Sequence, residues 1–259
     1  MAFWILQTAI HEVEREVIAK ILTEENIPFK NVKLRPFTHN VQGLPKNYRD
    51  MPIVPYGSVN LSMWGKKKGL KGVWWNDNLN FEVQRAVFGN HMLNGDSEIH
   101  PFGNIPHFEG ERFIRPVDDG KAFTGEIIDT NNLVAWQDRI FYFKGDSPIA
   151  PETKVQVSTV KSIFREYRFF VVKGRMITGS MYNEDNKLIR RALDKQDDIV
   201  VDYAQKMIDI WSPDEVAVID IAVLNDSLDM KIIEFNNPNA SGLYKSDFRA
   251  YARAIESVL

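Results

Sequence analysis

Two short, strongly β-prone runs near the C-terminus each carry an acid. Val-Ala-Val-Ile-Asp-Ile-Ala-Val (216–223) is interrupted by Asp220, and Lys-Ile-Ile-Glu-Phe-Asn (231–236) by Glu234. The link Asn-Asp-Ser-Leu-Asp (225–229) is turn-rich and reads as a hairpin tip. A hairpin centred on Ser227 sets Leu224 opposite Met230 and Asp220 opposite Glu234, and period-two alternation puts Asn236 on the side of Glu234. Directly opposed residues have Cβ atoms about 4.5–5.5 Å apart, where like charges repel. A divalent cation removes that penalty. Asp, Glu and Asn on one face form a hard oxygen-ligand set for Mg²⁺ bridging phosphates. The competing reading is the solvent side of a half-buried sheet. The expected same-face neighbours Val218, Ala222 and Ile232 are apolar and count against it.

Basic residues that could face these acids lie upstream. Phe-Ile-Arg-Pro-Val-Asp-Asp-Gly-Lys-Ala-Phe-Thr-Gly (113–125) reads as strand, Gly-containing loop and strand, with Arg115 and Lys121 close together. A cation beside free loop amides is a combination that holds phosphate, although many hairpins carry an Arg and a Lys. In 166–175, Glu166 and Arg168 share one strand face. They either pair with each other or orient a phosphate or a substrate carboxylate. Arg190 and Arg191 read as surface. Asn-Asn-Pro-Asn-Ala-Ser-Gly-Leu-Tyr (236–244) leaves the acidic strand as a polar loop, a usual place for substrate contacts. Lys66, Lys67, Lys68 and Lys71 form one basic cluster, read as a solvated loop rather than an anionic-substrate contact.

The elements that must position these groups differ between the two halves. Residues 3–7 read as a buried strand. A helix follows, with Ile10, Val13, Val17, Ile18, Ile21 and Leu22 on one face, and a second strand at 32–34 completes a βαβ opening with parallel pairing. A short strand at 53–54 ends in a turn, and 81–92 reads as a helix with Val87, Phe88 and His91 on its apolar side. Asn94-Gly95-Asp96 breaks the chain, which suggests units 1–95 and 96–259. The second half is rich in β-prone runs, at 112–116, 122–129, 140–143, 154–158, 166–173, 176–182, 216–223 and 230–235. Helices are expected at 199–211 and 245–258. This is an α+β pattern with mostly antiparallel pairing.

The chain has 259 residues, 44% of them hydrophobic and 26% charged, with a net charge of −3. That length suits one large domain or two small ones. The acidic balance argues against a protein that grips nucleic-acid phosphates. No apolar run approaches a membrane span, and Glu12, Glu14 and Glu16 are foreign to a secretion signal. Cysteine is absent, which excludes a thiolate nucleophile, a disulfide frame and a Cys-based zinc site. A cytoplasmic protein is expected. The five histidines show no metal-ligand spacing. Trp64, Trp74 and Trp75 either mark an oligomer interface or pack on their own domain.

Four segments in order, FIRPVDDGKAFTG (113–125), KVQVS (154–158), EYRFFVVKGRMITGSMY (166–182) and VIDIAVLNDSLDMKIIEFNNPNASGLY (218–244), resemble the ATP-grasp superfamily, specifically its compact members common in phages and bacteria. The resemblance spans about residues 100–259 and implies an ATP-grasp fold of two α+β subdomains clasping ATP. The preceding βαβ resembles, at fold level, the small Rossmann-like domain such proteins carry. It further implies that Asp220, Glu234 and Asn236 ligate Mg²⁺ on ATP, and that Arg115 and Lys121 contact the phosphates. Gln156, Val157 and Ser158 would line the adenine edge through backbone groups. Glu166 joins the nucleotide-binding set, and Arg168, with Lys121, the catalytic one, near the γ-phosphate or the substrate carboxylate. Arg115 departs from a pattern in which many members have Lys.

The activity so implied is carboxylate activation as an acyl phosphate and transfer to an amine or similar nucleophile. The substrates would be small-molecule or peptide carboxylates and amines. Two other readings compete. An Asp strand followed by Glu-x-Lys is a metal-dependent nuclease pattern, but residue 236 is Asn and the chain is not basic. A nucleotide-binding or interaction module without turnover would have no need of two opposed carboxylates.

Overall fold

The computed structural model describes residues 1–8, 10, 12–35, 40–118, 123–142 and 149–259. Lys121, one of the expected site residues, lies outside them, as do His11 and His39.

The N-terminal sheet is built from β1 (Phe3–Gln7), α1 (Glu12–Glu24), β2 (Phe29–Leu34), β3 (Val41–Gln42) and β4 (Ile53–Tyr56), in strand order β3-β2-β1-β4. β1 is central and pairs in parallel with both β2 and β4. Its last four residues are all buried, as a strand covered on both faces requires. In α1 only Ile18 and Leu22 are fully buried, and Val13 and Val17 are 80% and 50% exposed. The expected apolar face is therefore narrower than the spacing indicated. α2 (Val59–Lys67) is capped by the Ser58 side chain and ends in Lys66 and Lys67, cations placed at the negative end of the helix dipole. These lysines, expected in a loop, belong to a helix end, and Lys66 pairs with Asp77 at 3.6 Å. Trp64 and Trp74 are buried and Trp75 packs against the main core, so these rings serve the fold itself.

α3 (Phe81–Phe88) buries Phe81, Gln84 and Phe88, whereas Val87 and His91, expected on the apolar side, are exposed. A second sheet follows, from β5 (Glu98–Pro101), β6 (Glu111–Pro116), β7 (Glu126–Asp129), α4 (Leu133–Tyr142) and β8 (Lys154–Thr159). Its order is β5-β8-β6-β7, all antiparallel. One face packs Ile114, Val155 and Val157 against Leu133 and Trp136 of α4. Residues 140–143, expected as a strand, instead contribute Ile140, Phe141 and Tyr142 to the end of α4.

The third sheet comprises β9 (Ile163–Val172), β10 (Arg175–Glu184), β11 (Lys187–Ala192), α5 (Asp198–Ile210), β12 (Val216–Leu224), β13 (Met230–Asn236) and α6 (Phe248–Glu256). Strand order is β11-β10-β9-β12-β13, antiparallel throughout. Tyr167, Phe169, Ile219, Ile221 and Phe235 face one core shared with α3 and α5. Phe170, Val172, Val216 and Val218 face a second core with α6 and the N-terminal sheet. Both faces being covered, Val216–Val223 of β12 are all buried, including Asp220 at 2% exposure. β13 is an edge strand, and Gln84 closes that edge. Its side chain accepts from Phe235 N at 2.7 Å and donates to Phe235 O at 3.2 Å, which satisfies a backbone pair an edge would leave open.

Candidate active site

Asp220 faces Glu234 across the β12–β13 hairpin, by a route the sequence did not reveal. At the tip, Val223 rather than Leu224 pairs with Met230, so the register there is one residue off a tip centred on Ser227. Ile221 pairs with Ile232 and Asp220 with Glu234, which leaves Ile233 as an extra, bulged residue. The bulge restores the expected acidic pair. It also turns Ile232, expected beside the acids, into the opposite core.

Asn236 closes the group. Its Nδ2 donates to Asp220 Oδ2 at 3.2 Å and to Glu234 Oε1 at 3.0 Å. Among the described residues its buried Oδ1 has no hydrogen-bond partner, an acceptor whose desolvation is not offset there.

Each acid is met by an arginine from a different element. Arg168 of β9 lies in register with Asp220 and binds it as a fork, Nε to Oδ1 at 2.8 Å and Nη2 to Oδ2 at 2.7 Å. Arg115 of β6 donates through Nη2 to Glu234 Oε2 and so ties the second sheet to the third. Burial opposes the charge on Arg168, but Asp220 outweighs it and drives the guanidinium pKa further above its ordinary value. The Arg168 guanidinium also lies 5.5 Å from the Tyr182 ring centre and 5.1 Å from that of Tyr244, and the two rings stack at 4.9 Å.

Glu166 does not pair with Arg168. It accepts from Tyr182 Oη at 2.7 Å and Asn183 Nδ2 at 2.8 Å. Burial pushes its carboxyl pKa up, the charge of Asp220 adds to the rise, and the two hydrogen bonds work against it.

The loop after β13 is fixed at four consecutive residues. The Tyr56 hydroxyl reaches Glu14 Oε1 at 2.9 Å and Ser241 O at 3.0 Å. Gly242 O accepts from Arg168 Nη1 at 3.4 Å, and Leu243 N donates to Glu14 Oε1. Tyr244 holds a left-handed backbone, φ 53°, a conformation costly for an aromatic residue and frequent where surroundings impose it. Its ring centre lies 5.1 Å from the Arg168 guanidinium and 5.7 Å from that of Arg190. Glu14, Tyr56, Tyr182 and Asn183 were not expected here. Only the place of Tyr244 in the quoted Ser-Gly-Leu-Tyr loop hinted at its role.

On β8, Gln156 and Ser158 point to one face and Val157 to the other. Gln156 shares a small pocket with Arg115, Glu234 and Ile233. Val157 packs in the core of the second sheet. Together with Ser158 it lines a separate cavity of about 300 Å³ beside Glu98, His100 and Arg112. A groove of about 1010 Å³ lies between α2 and the start of α3 and contains none of the acid–arginine group. Converging buried charges, rather than groove size, mark the site.

The donor set suits a hard cation. Two carboxylates lie within hydrogen-bond reach of the Asn236 amide, which turns its nitrogen toward them, and carboxylate and amide oxygens are what Mg²⁺ takes. Among the described residues no cluster of three His, Cys, Asp or Glu could hold a metal ion. None of the described helices is long and apolar enough to cross a membrane.

Residues 99–254 match the model of an ATP-grasp domain family, the second family of its clade. No curated protein matches the chain in sequence. Among solved structures, the fold is similar to D-alanine–D-alanine ligase from Bacillus anthracis, with TM-score 0.60 and 10% identity over 99% of this chain and 92% of that one. It is similar to D-cycloserine synthetase DcsG, with TM-score 0.59 and 9% identity over 100% and 99%. It is also similar to ATP-grasp ligase PsnB complexed with minimal precursor, with TM-score 0.54 and 12% identity over 98% of both chains. Identities this low establish shared fold, and the narrower likeness to phage proteins finds no support in them. With the mixed α+β architecture and a family match over more than half its length, the chain belongs to this ATP-grasp domain family.

Proposed function

We propose that this protein is an ATP-dependent ligase that activates a carboxylate as an acyl phosphate and joins it to an amine or similar nucleophile. The observation that carries this reading is the buried opposition of Asp220 and Glu234, with the orphaned Asn236 Oδ1 beside them. The ligases and synthetase among the similar folds support it.

Asp220, Glu234 and Asn236 would hold Mg²⁺, which supplies charge neutralisation on the ATP phosphates. Arg115 would meet those phosphates, with Lys121 as a second cation. Gln156, beside Arg115 and Glu234, would line the adenine edge with Val157 and Ser158 through backbone groups. Glu166 belongs to the nucleotide-binding set, held by Tyr182 and Asn183.

Arg168 is the residue for the second substrate or the γ-phosphate. A carboxylate and a phosphate repel in water, and a guanidinium beside two tyrosine rings offsets that repulsion. The loop 241–244, fixed by Glu14 and Tyr56, shapes the space beside it. No protein nucleophile is required.

Small-molecule or peptide carboxylates and amines fit this chemistry. A cytoplasmic setting, a possible oligomer and a division of the chain into 1–95 and 96–259 complete the proposal.

Isothermal titration with ATP, with and without Mg²⁺, tests the reading in wild type and Glu234→Gln. Mg²⁺-dependent binding that the variant loses supports it. Absence of binding in wild type sinks it, and binding without ADP formation in any substrate mixture favours a non-catalytic module. DNA cleavage with Mg²⁺ alone would support the nuclease reading.

A further inference from the structure

Two guanidiniums share the ring of Tyr244, and they differ in what holds them. Arg168 is forked onto Asp220 and reaches Gly242 O. Arg190 is exposed, and among the described residues it has neither a hydrogen bond nor an ion pair, only the Tyr244 ring 5.7 Å away. We infer that Arg190 is a specificity-determining residue that binds a second, unreacting carboxylate of the substrate, so that the site selects dicarboxylates over monocarboxylates. The inference rests on the ligase reading of the site and names its substrate class.

Strand geometry places Arg190 there. Asn183 of β10 pairs with Leu188 of β11 and Met181 with Arg191, so Ile189 and Arg190 stand where β10 has Tyr182 alone. In regular pairing Arg190 would lie opposite Met181, which belongs to the main core. The extra residue gives that place to Arg191, whose Nη2 lies 3.8 Å from Met181 Sδ and whose guanidinium binds Asp197. Arg190 is left for Tyr244. β10 is irregular against β9 at the same point. Met181 pairs with Tyr167 and Asn183 with Glu166, which makes Tyr182 the extra residue. Its ring stacks on Tyr244 and its hydroxyl donates to Glu166. Two neighbouring strands thus break register together, and each break turns a side chain toward the proposed site, a use bulges have beside active sites.

The acids around Tyr244 are already engaged. Asp220 accepts from Arg168 and Asn236, Glu166 from Tyr182 and Asn183, and Glu14 from Tyr56 and Leu243 N. The N–H fork of Arg190 is therefore open to a ligand, and a guanidinium fork matches the two oxygens of a carboxylate. Arg190 has no bond to Asp220, Glu234 or Asn236, the proposed metal ligands, whereas Arg168 is tied to Asp220. The phosphates would sit on the Arg168 side of Tyr244, and a second acid of the substrate on the other.

The experiment reads equilibrium binding by ligand-observed NMR, independently of turnover. The probes are malonate, succinate, glutarate and adipate, each against the straight-chain monocarboxylate of equal carbon number, with and without Mg²⁺ and a non-hydrolysable ATP analogue. Wild type is expected to bind at least one dicarboxylate roughly 10-fold or more tightly than its monocarboxylate, the scale of one charge-assisted hydrogen bond. Arg190→Met should erase that preference, and Arg190→Lys, which keeps the charge without the fork, should retain part of it. Lys187→Met removes an equal charge from the other end of β11 and should leave the preference intact. Should Arg190→Met not fold, Arg190→Lys alone is measured, and a weakened preference is required of it. The inference is overturned if wild type prefers no dicarboxylate, if Arg190→Met keeps the preference, or if Lys187→Met loses it equally. Loss of the ATP analogue by Arg190→Met would assign the guanidinium to the phosphates and overturn it too. Failure of wild type to bind the analogue overturns the nucleotide reading instead, while the comparison without nucleotide still decides the role of Arg190.

Discussion

Arg168 and Asp220 face each other in register on adjacent strands and share two parallel hydrogen bonds of 2.8 and 2.7 Å. The pair links the fold to the proposed chemistry, because both partners are buried and both belong to the proposed site.

Replacing Asp220 should therefore do two things. Asp220→Asn should abolish Mg²⁺-dependent nucleotide binding. It should also cost about 3–5 kcal/mol of stability, since it strands a buried guanidinium. Glu234→Gln should lose the same binding at a smaller cost, about 1–2 kcal/mol, because its pair with Arg115 keeps some solvent contact. Urea unfolding and calorimetry separate the effects. Equal stability of the two variants would contradict the burial argument.

Glu166 should trade stability for function. Its carboxyl pKa is raised in the folded protein, first by burial. Its ionised form is therefore destabilising at pH above the folded value, and that penalty is gone below the ordinary value of 4.5. Glu166→Gln should melt higher than wild type at pH 7, with the gap closing toward pH 4, and should bind nucleotide less tightly. A lower melting point for the variant at pH 7 would refute this.

Asp197 should behave in the opposite way. It is fully buried and accepts from Arg191 twice at 2.8 Å, from Tyr167 Oη at 3.0 Å and from Asp194 N at 2.9 Å. Burial alone would raise its pKa, but these donors, Arg191 foremost, lower it below the ordinary 3.8. Its stabilisation is complete above 3.8 and is lost as pH falls through the folded value. Asp197→Asn should cost about 3–5 kcal/mol at pH 7, and nearly as much at pH 5. A difference that has already vanished at pH 5 would rule out the ionised network.

Glu14 should control the loop beside Arg168. Glu14→Ala removes the acceptor of Leu243 N and a partner of the Tyr56 hydroxyl. Hydrogen exchange at the Leu243 amide should quicken roughly 10-fold, the effect of losing one hydrogen bond to a charged group, while amides of β12 stay protected. Unchanged exchange at Leu243 would show that the loop is held by other contacts.

How legible this was depended on the range of the interaction. The pairing of Asp220 with Glu234 was expected from a hairpin centred on Ser227, a register that the tip does not keep and the bulge at Ile233 restores. The position of Asn236 beside Glu234 and most of the β-rich second half followed from alternation along the strands. The partner of Arg168 did not follow, because strand order in a sheet is decided by contacts far apart in sequence. Glu166 looked like its neighbour on one strand, yet β12 brought Asp220 closer. Glu14 and Tyr56 reach the site from the N-terminal sheet, and nothing in their local sequence signals it. Short apolar runs also misled. Ile140-Phe141-Tyr142 has strand-forming residues but ends α4, an ambiguity that periodicity cannot resolve over so few positions. Val13 and Val17 fit the helical spacing of a buried face, yet α1 touches the core along a narrower stripe.

The bulged residue Ile233 gives the hairpin two independent phases. On the tip side, Val223 meets Met230; on the acid side, Asp220 meets Glu234. The turn could thus be rebuilt, or carry another sequence, without moving the two acids, because the misfit is absorbed before it reaches them. Deleting Ile233 would remove the misfit itself: the ladder would run from Ile221–Ile232 straight on to Asp220–Glu234, so the extra residue is a spacer between two registers that the acidic pair outlasts.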